Sequence, residues 1–162
     1  MSESENQLER LLEIMRRLRG PGGCPWDRKQ SSDSIKMYAI EEAYEVVEAI
    51  ESGSISALEE ELGDLLLQVV FHAQMQSEAG RFDFEDVARG ISEKLVRRHP
   101  HVFGHMVVSG SDEVLTNWDA IKRQERAAKG ETAEGASILE GVPRALPALQ
   151  RAHEVQKRAA RA

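Results

Sequence analysis

The 162-residue chain lacks paired cysteines, long apolar runs and a targeting segment, and each absence excludes a class of protein. Its one cysteine, Cys24, cannot form an internal disulfide, and a single thiol fits the reducing cytosol. No apolar run is long enough to span a bilayer, and the polar, acidic N-terminus is unlike a signal or transit peptide. We therefore expect a cytoplasmic protein without a membrane partner.

Three further absences narrow the fold and the chemistry. The sequence has no useful length of alternating apolar and polar residues, which predicts an all-α fold. It has no glycine-rich phosphate loop ending in Lys-Ser or Lys-Thr, which argues against a motor or kinase NTPase. It also has no evident Ser/His/Asp or Cys/His set for nucleophilic catalysis. The net charge of −7 argues against nonspecific binding to nucleic acid.

Apolar residues recur at helical spacing along most of the chain. This spacing predicts six helices, near residues 6–19, 33–51, 56–79, 83–98, 111–129 and 143–162. We predict one helical domain over 1–129, a flexible polar linker over 130–142 and a C-terminal helix over 143–162. The apolar stripes of the second and third helices are expected to pack together, and Trp26 is expected to cover the core. Candidate core positions of the fourth helix are Val87, Ile91, Leu95 and Val96.

An acidic stretch spans the second and third predicted helices. Glu41, Glu42 and Glu45 belong to the first of these, and Glu61 and Asp64 to the other. Spacing of three or four residues places side chains on one helical face, so packing of the two helices would gather these carboxylates. Their mutual repulsion favours a bound divalent cation, and hard oxygen ligands suit Mg²⁺. The alternative is an exposed acidic face that only favours solubility.

Two further pairs have the spacing of neighbours on a helix. Lys94 and Arg98 are four residues apart and are candidates for binding phosphate. Their alternative role is to place positive charge at a helix C-terminus. Trp118 and Lys122 have the same spacing and would offer a ring to a base and a charge to a phosphate. Ordinary amphipathic packing is the alternative for this pair.

Five motifs together resemble the MazG family of nucleoside triphosphate pyrophosphohydrolases, in order and in spacing. They are Gly-Cys-Pro-Trp-Asp at 23–27, the acids of 41–45, the acids of 61–64, Arg-Arg-His-Pro-His-Val-Phe at 97–103 and Trp-Asp-Ala-Ile-Lys at 118–122. The resemblance implies an all-α helical bundle that forms a homodimer or higher homo-oligomer. It implies Mg²⁺-dependent hydrolysis of nucleoside triphosphates between the α and β phosphates, with Mn²⁺ as a substitute metal.

The resemblance also assigns roles to single residues. The metal ligands would be Glu42, Glu45, Glu61 and Asp64. Glu41 would support these ligands or handle a proton. The triphosphate would be contacted by Lys94 and Arg98, and the base and a phosphate by Trp118 and Lys122. Ala57 and Leu58 stand where the family often has another cation. The rival hypotheses are a dimerisation or regulatory MazG domain without its own activity, and a purely structural bundle. Because some MazG proteins carry two domains in tandem, 143–162 is a candidate start of a second copy.

Overall fold

The computed structural model describes residues 6–128 and 142–160, and the described residues are helical with no strand. The predicted linker, 130–142, lies outside the described residues except for Val142. The helices are α1 Gln7–Arg19, α2 Pro25–Lys29, α3 Ser32–Ile35, α4 Tyr38–Ser52, α5 Ile55–Glu78, α6 Phe84–Arg98, α7 Pro100–Phe103, α8 Ser111–Ala128 and α9 Ala148–Ala159. The all-α prediction is confirmed, and no described helix has the length and apolar character needed to cross a membrane.

Short polar side chains begin several of these helices. The Asn6 side chain accepts a hydrogen bond from the backbone N–H of Leu8 at the start of α1. Asp83 and Asp86 exchange side-chain and backbone hydrogen bonds at the start of α6, in agreement with a helix predicted to begin near residue 83. The sequence pattern of Ser56 and Glu59 predicts a cap at Ser56 for the third helix, and this prediction is wrong, because Ser54 accepts the hydrogen bond from the Ala57 backbone N–H instead.

The predicted helix 33–51 is divided into α3 and α4. Ser31 and Ser34 form a reciprocal capping box around α3, and the chain turns at Lys36 and Met37 before α4 begins. The short helices α2 and α7 were not predicted. Each begins at a proline, which lacks the N–H that a first-turn residue would leave unpaired.

Backbone contacts divide the chain into two units, Met1–Leu95 and Val96–Ala162. In the first unit, α4 packs along α5, and α1 contacts both α5 and α2. The buried cluster consists of Met15 from α1, Ile35 from α3 and three residues of α5. Those three are Val70, Phe71 and Met75. The core of this unit is therefore centred on the C-terminal half of α5, against α1 and α3.

Several residues predicted to be buried are exposed. Ala49 is the buried residue of α4, while apolar side chains of both α4 and α5 remain open to solvent. The exposed members of the predicted stripes include Val47, Ile50, Leu62, Leu66 and Val69. The α6 positions expected in the core, Val87, Ile91, Leu95 and Val96, are exposed as well, and Trp26 is 53% exposed rather than covering the core. Helical periodicity identified these apolar faces correctly but did not establish that this chain covers them.

A buried arginine joins three parts of the first unit. The side chain of Arg19 is 7% exposed, and its guanidinium donates to both oxygens of Glu78, at 2.8 and 2.7 Å. It also donates to the backbone oxygens of Asp27 and Gln30, and it lies 5.4 Å from the ring centroid of Phe71. The hydrogen bond from Arg19 lowers the pKa of Glu78. Arg19 thus holds α2 against α1 and α5.

Candidate active site

The turn between α4 and α5 determines how the acidic residues approach one another. Gly53 ends α4 in the left-handed conformation, with φ 72°, and Ser54 caps α5 directly afterwards. Because only these two residues separate the helices and the helices pack along each other, α4 and α5 run antiparallel. The acidic residues of the two helices consequently face one another across a short connection.

Three carboxylates form one cluster. Glu42 and Glu45 of α4 and Glu61 of α5 each offer an oxygen atom, and these atoms all lie within 4.8 Å of one another. Glu42 and Glu61 are half-buried and Glu45 is exposed. We call these three residues the carboxylate cluster. Among the described residues it is the one group of three or more acidic, histidine or cysteine side chains close enough to hold a metal ion together.

Two members of the cluster, Glu42 and Glu61, resist ionisation. Partial burial, a hydrogen bond with Glu45 and the charges of Glu45, Asp64 and Glu41 raise the pKa of Glu42. Partial burial and neighbouring charges, those of Glu45 and Asp64 foremost, raise the pKa of Glu61. Both shifts mean that negative charge is crowded at this place. A positive ion bound there would relieve that crowding.

Asp64 and Glu41 border the cluster. Both are exposed, and neither belongs to the group of three whose oxygens lie within 4.8 Å. Asp64 nevertheless contributes charge to the raised pKa of both Glu42 and Glu61, and Glu41 contributes to that of Glu42. The structure therefore brings together three of the four predicted metal ligands and keeps the fourth within electrostatic range.

One residue of this region was missed by the sequence interpretation. Gln68 of α5 is 7% exposed, and its side-chain Nε2 donates a hydrogen bond to Glu42 Oε1 at 3.3 Å. A signal was present in the sequence: Gln68 is the polar residue within the apolar run 65–71, and it follows Asp64 by one helical turn. A polar residue on a buried helical face requires a polar partner.

The predicted phosphate-binding pair is divided between the two units. Lys94 of the first unit is exposed on α6. Arg98 of the second unit is 16% exposed, and its Nη2 lies 2.5 Å from Glu125 Oε2. Arg97 Nε also donates to Glu125, at 2.7 Å. Hydrogen bonds from Arg98 and then Arg97 lower the pKa of Glu125 to about 2. Sequence analysis missed Glu125 because it lies 27 residues from Arg98.

Trp118 lies within the same group of the second unit. The Arg98 guanidinium is 6.0 Å from the Trp118 ring centroid, and the His99 ring meets Trp118 edge-on with centroids 5.0 Å apart. Trp118 and Lys122 are both half-buried, and they are one turn apart on α8. Trp118 is thus packed by charged and polar neighbours, which leaves both predicted roles, base stacking and ordinary packing, consistent with its place.

Comparison with known proteins places these features in a family. A model of the MazG nucleotide pyrophosphohydrolase domain matches residues 30–103, which contain the carboxylate cluster and Gln68. The fold is similar to the crystal structure of a mazG-related protein from Thermotoga maritima, with a TM-score of 0.59 and 34% sequence identity. The match covers 70% of this chain and 97% of that one. The chain belongs to the MazG family. Its MazG resemblance therefore extends from short motifs to the fold.

Curated MazG relatives are longer than this chain. The nucleoside triphosphate pyrophosphohydrolase of Escherichia coli K12 is 53% identical over 156 residues, which are 96% of this chain and 58% of that protein. The nucleoside triphosphate pyrophosphohydrolase/pyrophosphatase MazG of Thermotoga maritima is 45% identical over 159 residues, 98% of this chain and 59% of that protein. This chain spans less than two thirds of the length of these relatives.

Proposed function

We propose that this MazG-family chain hydrolyses nucleoside triphosphates between the α and β phosphates, giving a nucleoside monophosphate and pyrophosphate. The observation that carries the proposal is the carboxylate cluster, in which Glu42, Glu45 and Glu61 approach within 4.8 Å on two packed helices. The names of the E. coli and T. maritima relatives support the choice of substrate and reaction. The role we propose in the cell is removal of surplus or noncanonical nucleotides.

The donor set fits Mg²⁺, with Mn²⁺ as a substitute. Carboxylate oxygens are the ligands that a hard divalent cation prefers, and the raised pKa of Glu42 and Glu61 marks a place where a positive ion would be favourable. Glu42, Glu45, Glu61 and Asp64 would hold the ion. When bound, it would neutralise phosphate charge, orient water and stabilise the leaving pyrophosphate.

The chain's own residues would bind the substrate and handle its protons. Hydrolysis adds the oxygen of water to phosphorus and breaks the bond between the α and β phosphates, which releases a proton. We assign acceptance of that proton to the exposed Glu41 carboxylate beside the cluster. The predicted substrate contacts remain Lys94, Arg98, Trp118 and Lys122. Of these, Lys94 is exposed and is therefore the most accessible to a phosphate group of the substrate.

We propose further that two copies of the chain associate through the exposed apolar side chains of α4 and α5. Val47, Ile50 and Leu62 are 47%, 59% and 49% exposed on two helices that pack together, and large apolar side chains exposed on neighbouring helices are typical of interaction sites. Sedimentation velocity tests this proposal. The wild-type chain is expected to sediment as a dimer or larger oligomer, and Ile50→Asp is expected to shift it toward the monomer; a monomeric wild type would contradict the proposal.

Release of pyrophosphate from a panel of NTPs and dNTPs, with Mg²⁺ or EDTA, tests the activity. We expect Mg²⁺-dependent turnover that the double variant Glu42→Gln/Glu61→Gln abolishes. The matched control is Glu51→Gln/Glu59→Gln, which likewise neutralises one acid on each helix, in this case an exposed acid outside the cluster. Loss of turnover in both double variants would show that total acidic charge, rather than the cluster, is what matters.

A second candidate function is a regulatory or dimerisation domain without its own turnover. The observation that favours it is the engagement of Arg98, a predicted triphosphate contact, with Glu125 at 2.5 Å. An arginine held in this way has its charge already neutralised. Absence of turnover in a chain that still binds Mg²⁺ would favour this second function.

A further inference from the structure

Gln68 has one satisfied end and one unsatisfied end. Its Nε2 donates to Glu42 Oε1 at 3.3 Å, whereas its Oε1 is buried and accepts no hydrogen bond from the described residues. Leaving a buried acceptor without a partner costs free energy, because the oxygen has lost its hydrogen bonds to water. A buried oxygen left in this state calls for a partner beyond the protein itself.

The orientation of the Gln68 amide follows from Glu42. A carboxylate accepts hydrogen bonds, so the N–H₂ end of the amide must face it, and the opposite orientation would bring two acceptors together. Glu42 therefore determines which end of Gln68 remains unpaired. The unpaired end is the oxygen, a group that can accept a hydrogen bond but cannot give one.

Another glutamine of α5 shows what a structural role looks like. Gln76 donates to Ser32 Oγ at 3.1 Å and accepts from Arg81 Nη1 at 3.0 Å, so both ends of its amide are paired within the protein. Gln68 is more buried than Gln76 and yet has only one end paired. An apolar residue such as Met would fill the same space in the helix without an orphaned oxygen.

We propose that Gln68 is a positioning residue of the carboxylate cluster. Its N–H₂ group holds Glu42, and its Oε1 accepts a hydrogen bond from the water shell of the divalent cation bound there. Mg²⁺ in proteins usually keeps several waters, whose hydrogens point away from the ion and need acceptors. The inference rests on the proposed cation site and adds to it a residue that is not itself a carboxylate.

The test compares metal affinity with metal-free stability in the full chain. We expect Gln68→Met to weaken binding of Mg²⁺, titrated alone in a calorimeter, by about 10-fold, as is typical when a residue that orients a metal ligand is removed. The melting temperature of the same variant in EDTA is expected to stay equal to that of the wild type or to rise, because the orphaned oxygen is gone. Gln68→Leu is a second variant with the same expectation, should the thioether pack poorly.

Gln76→Met is the matched control, with the opposite expectation. It removes two hydrogen bonds, so its melting temperature in EDTA should fall while its Mg²⁺ affinity remains that of the wild type. Unchanged Mg²⁺ affinity in Gln68→Met and Gln68→Leu would overturn the proposal, as would a lower melting temperature in EDTA with no loss of affinity. A wild-type chain that does not bind Mg²⁺ would overturn the proposed cation site itself. That result differs from unchanged Mg²⁺ affinity in the Gln68 variants, which would overturn only the role of Gln68.

Discussion

Replacing Arg19 by Met should destabilise the chain strongly, because the Arg19 side chain at the end of α1 is buried and 7% exposed. The variant keeps the unbranched stem but removes the guanidinium, which bonds Glu78, Asp27 and Gln30 and lies over Phe71. A charged hydrogen bond to a backbone carbonyl contributes about 1.5 kcal/mol, the partly exposed pair with Glu78 about 0.5 kcal/mol, and the contact with the ring about 1 kcal/mol. Together these predict a loss of about 3 kcal/mol and a melting temperature lower by roughly 10 °C.

Thermal unfolding followed by circular dichroism measures this effect, and Arg16→Met is its control. Arg16 is on the same helix, but its ion pair with Glu13 is exposed, with side chains 66% and 51% accessible, so its loss should change the melting temperature little. The Arg19 variant should also be cleaved faster by trypsin at Arg28, because α2 loses its anchor. Equal melting temperatures of the two variants would refute the anchoring role of Arg19.

Three further predictions follow from charge and space. The pKa of Glu42 is raised above 4.5, so its contribution to metal-free stability is present below pH 4.5 and is lost as the pH rises. Mg²⁺ should therefore raise the melting temperature more at pH 7.5 than at pH 5. An equal rise at the two pH values would contradict this prediction. Glu125 has its pKa lowered from 4.5 to about 2, so Glu125→Gln should lower the melting temperature at pH 6, and its difference from the wild type should shrink as the pH falls from about 4.5 toward about 2. A Cβ at Gly23 would collide with the backbone oxygen of Leu18, so Gly23→Ala should cost about 3 kcal/mol in urea unfolding. Gly90 has open space around it, so Gly90→Ala should stabilise the chain by about 1 kcal/mol.

The positions of the long helices could be predicted from the sequence because their signals are local. Gly53 and Asp83 each act on the backbone beside them, and the structure has a helix end or start at both. The break at Lys36 and Met37 could not be predicted, because apolar residues continue across it at helical spacing. The last residue of α3, Ile35, is buried in the core, and this tertiary contact cannot be read from the local sequence.

The candidate site was predictable to the extent that it depends on helical spacing. Glu42 and Glu45 meet because they are one turn apart, and Glu61 joins them because the connection between the helices is short. Partners chosen by three-dimensional packing were not predictable: Glu125 for Arg98, and the unpaired state of Gln68. The sequence likewise identified apolar faces without identifying what covers them.

The two-residue connection at Gly53 and Ser54 has a consequence for how the protein folds. Closing so short a loop loses little chain entropy, and contacts between neighbouring segments form early. The carboxylates of α4 and α5 are therefore drawn together at the start of folding, before the more distant parts of the chain have formed. A divalent cation bound by these carboxylates at that stage would act on the rate of folding as well as on the finished protein.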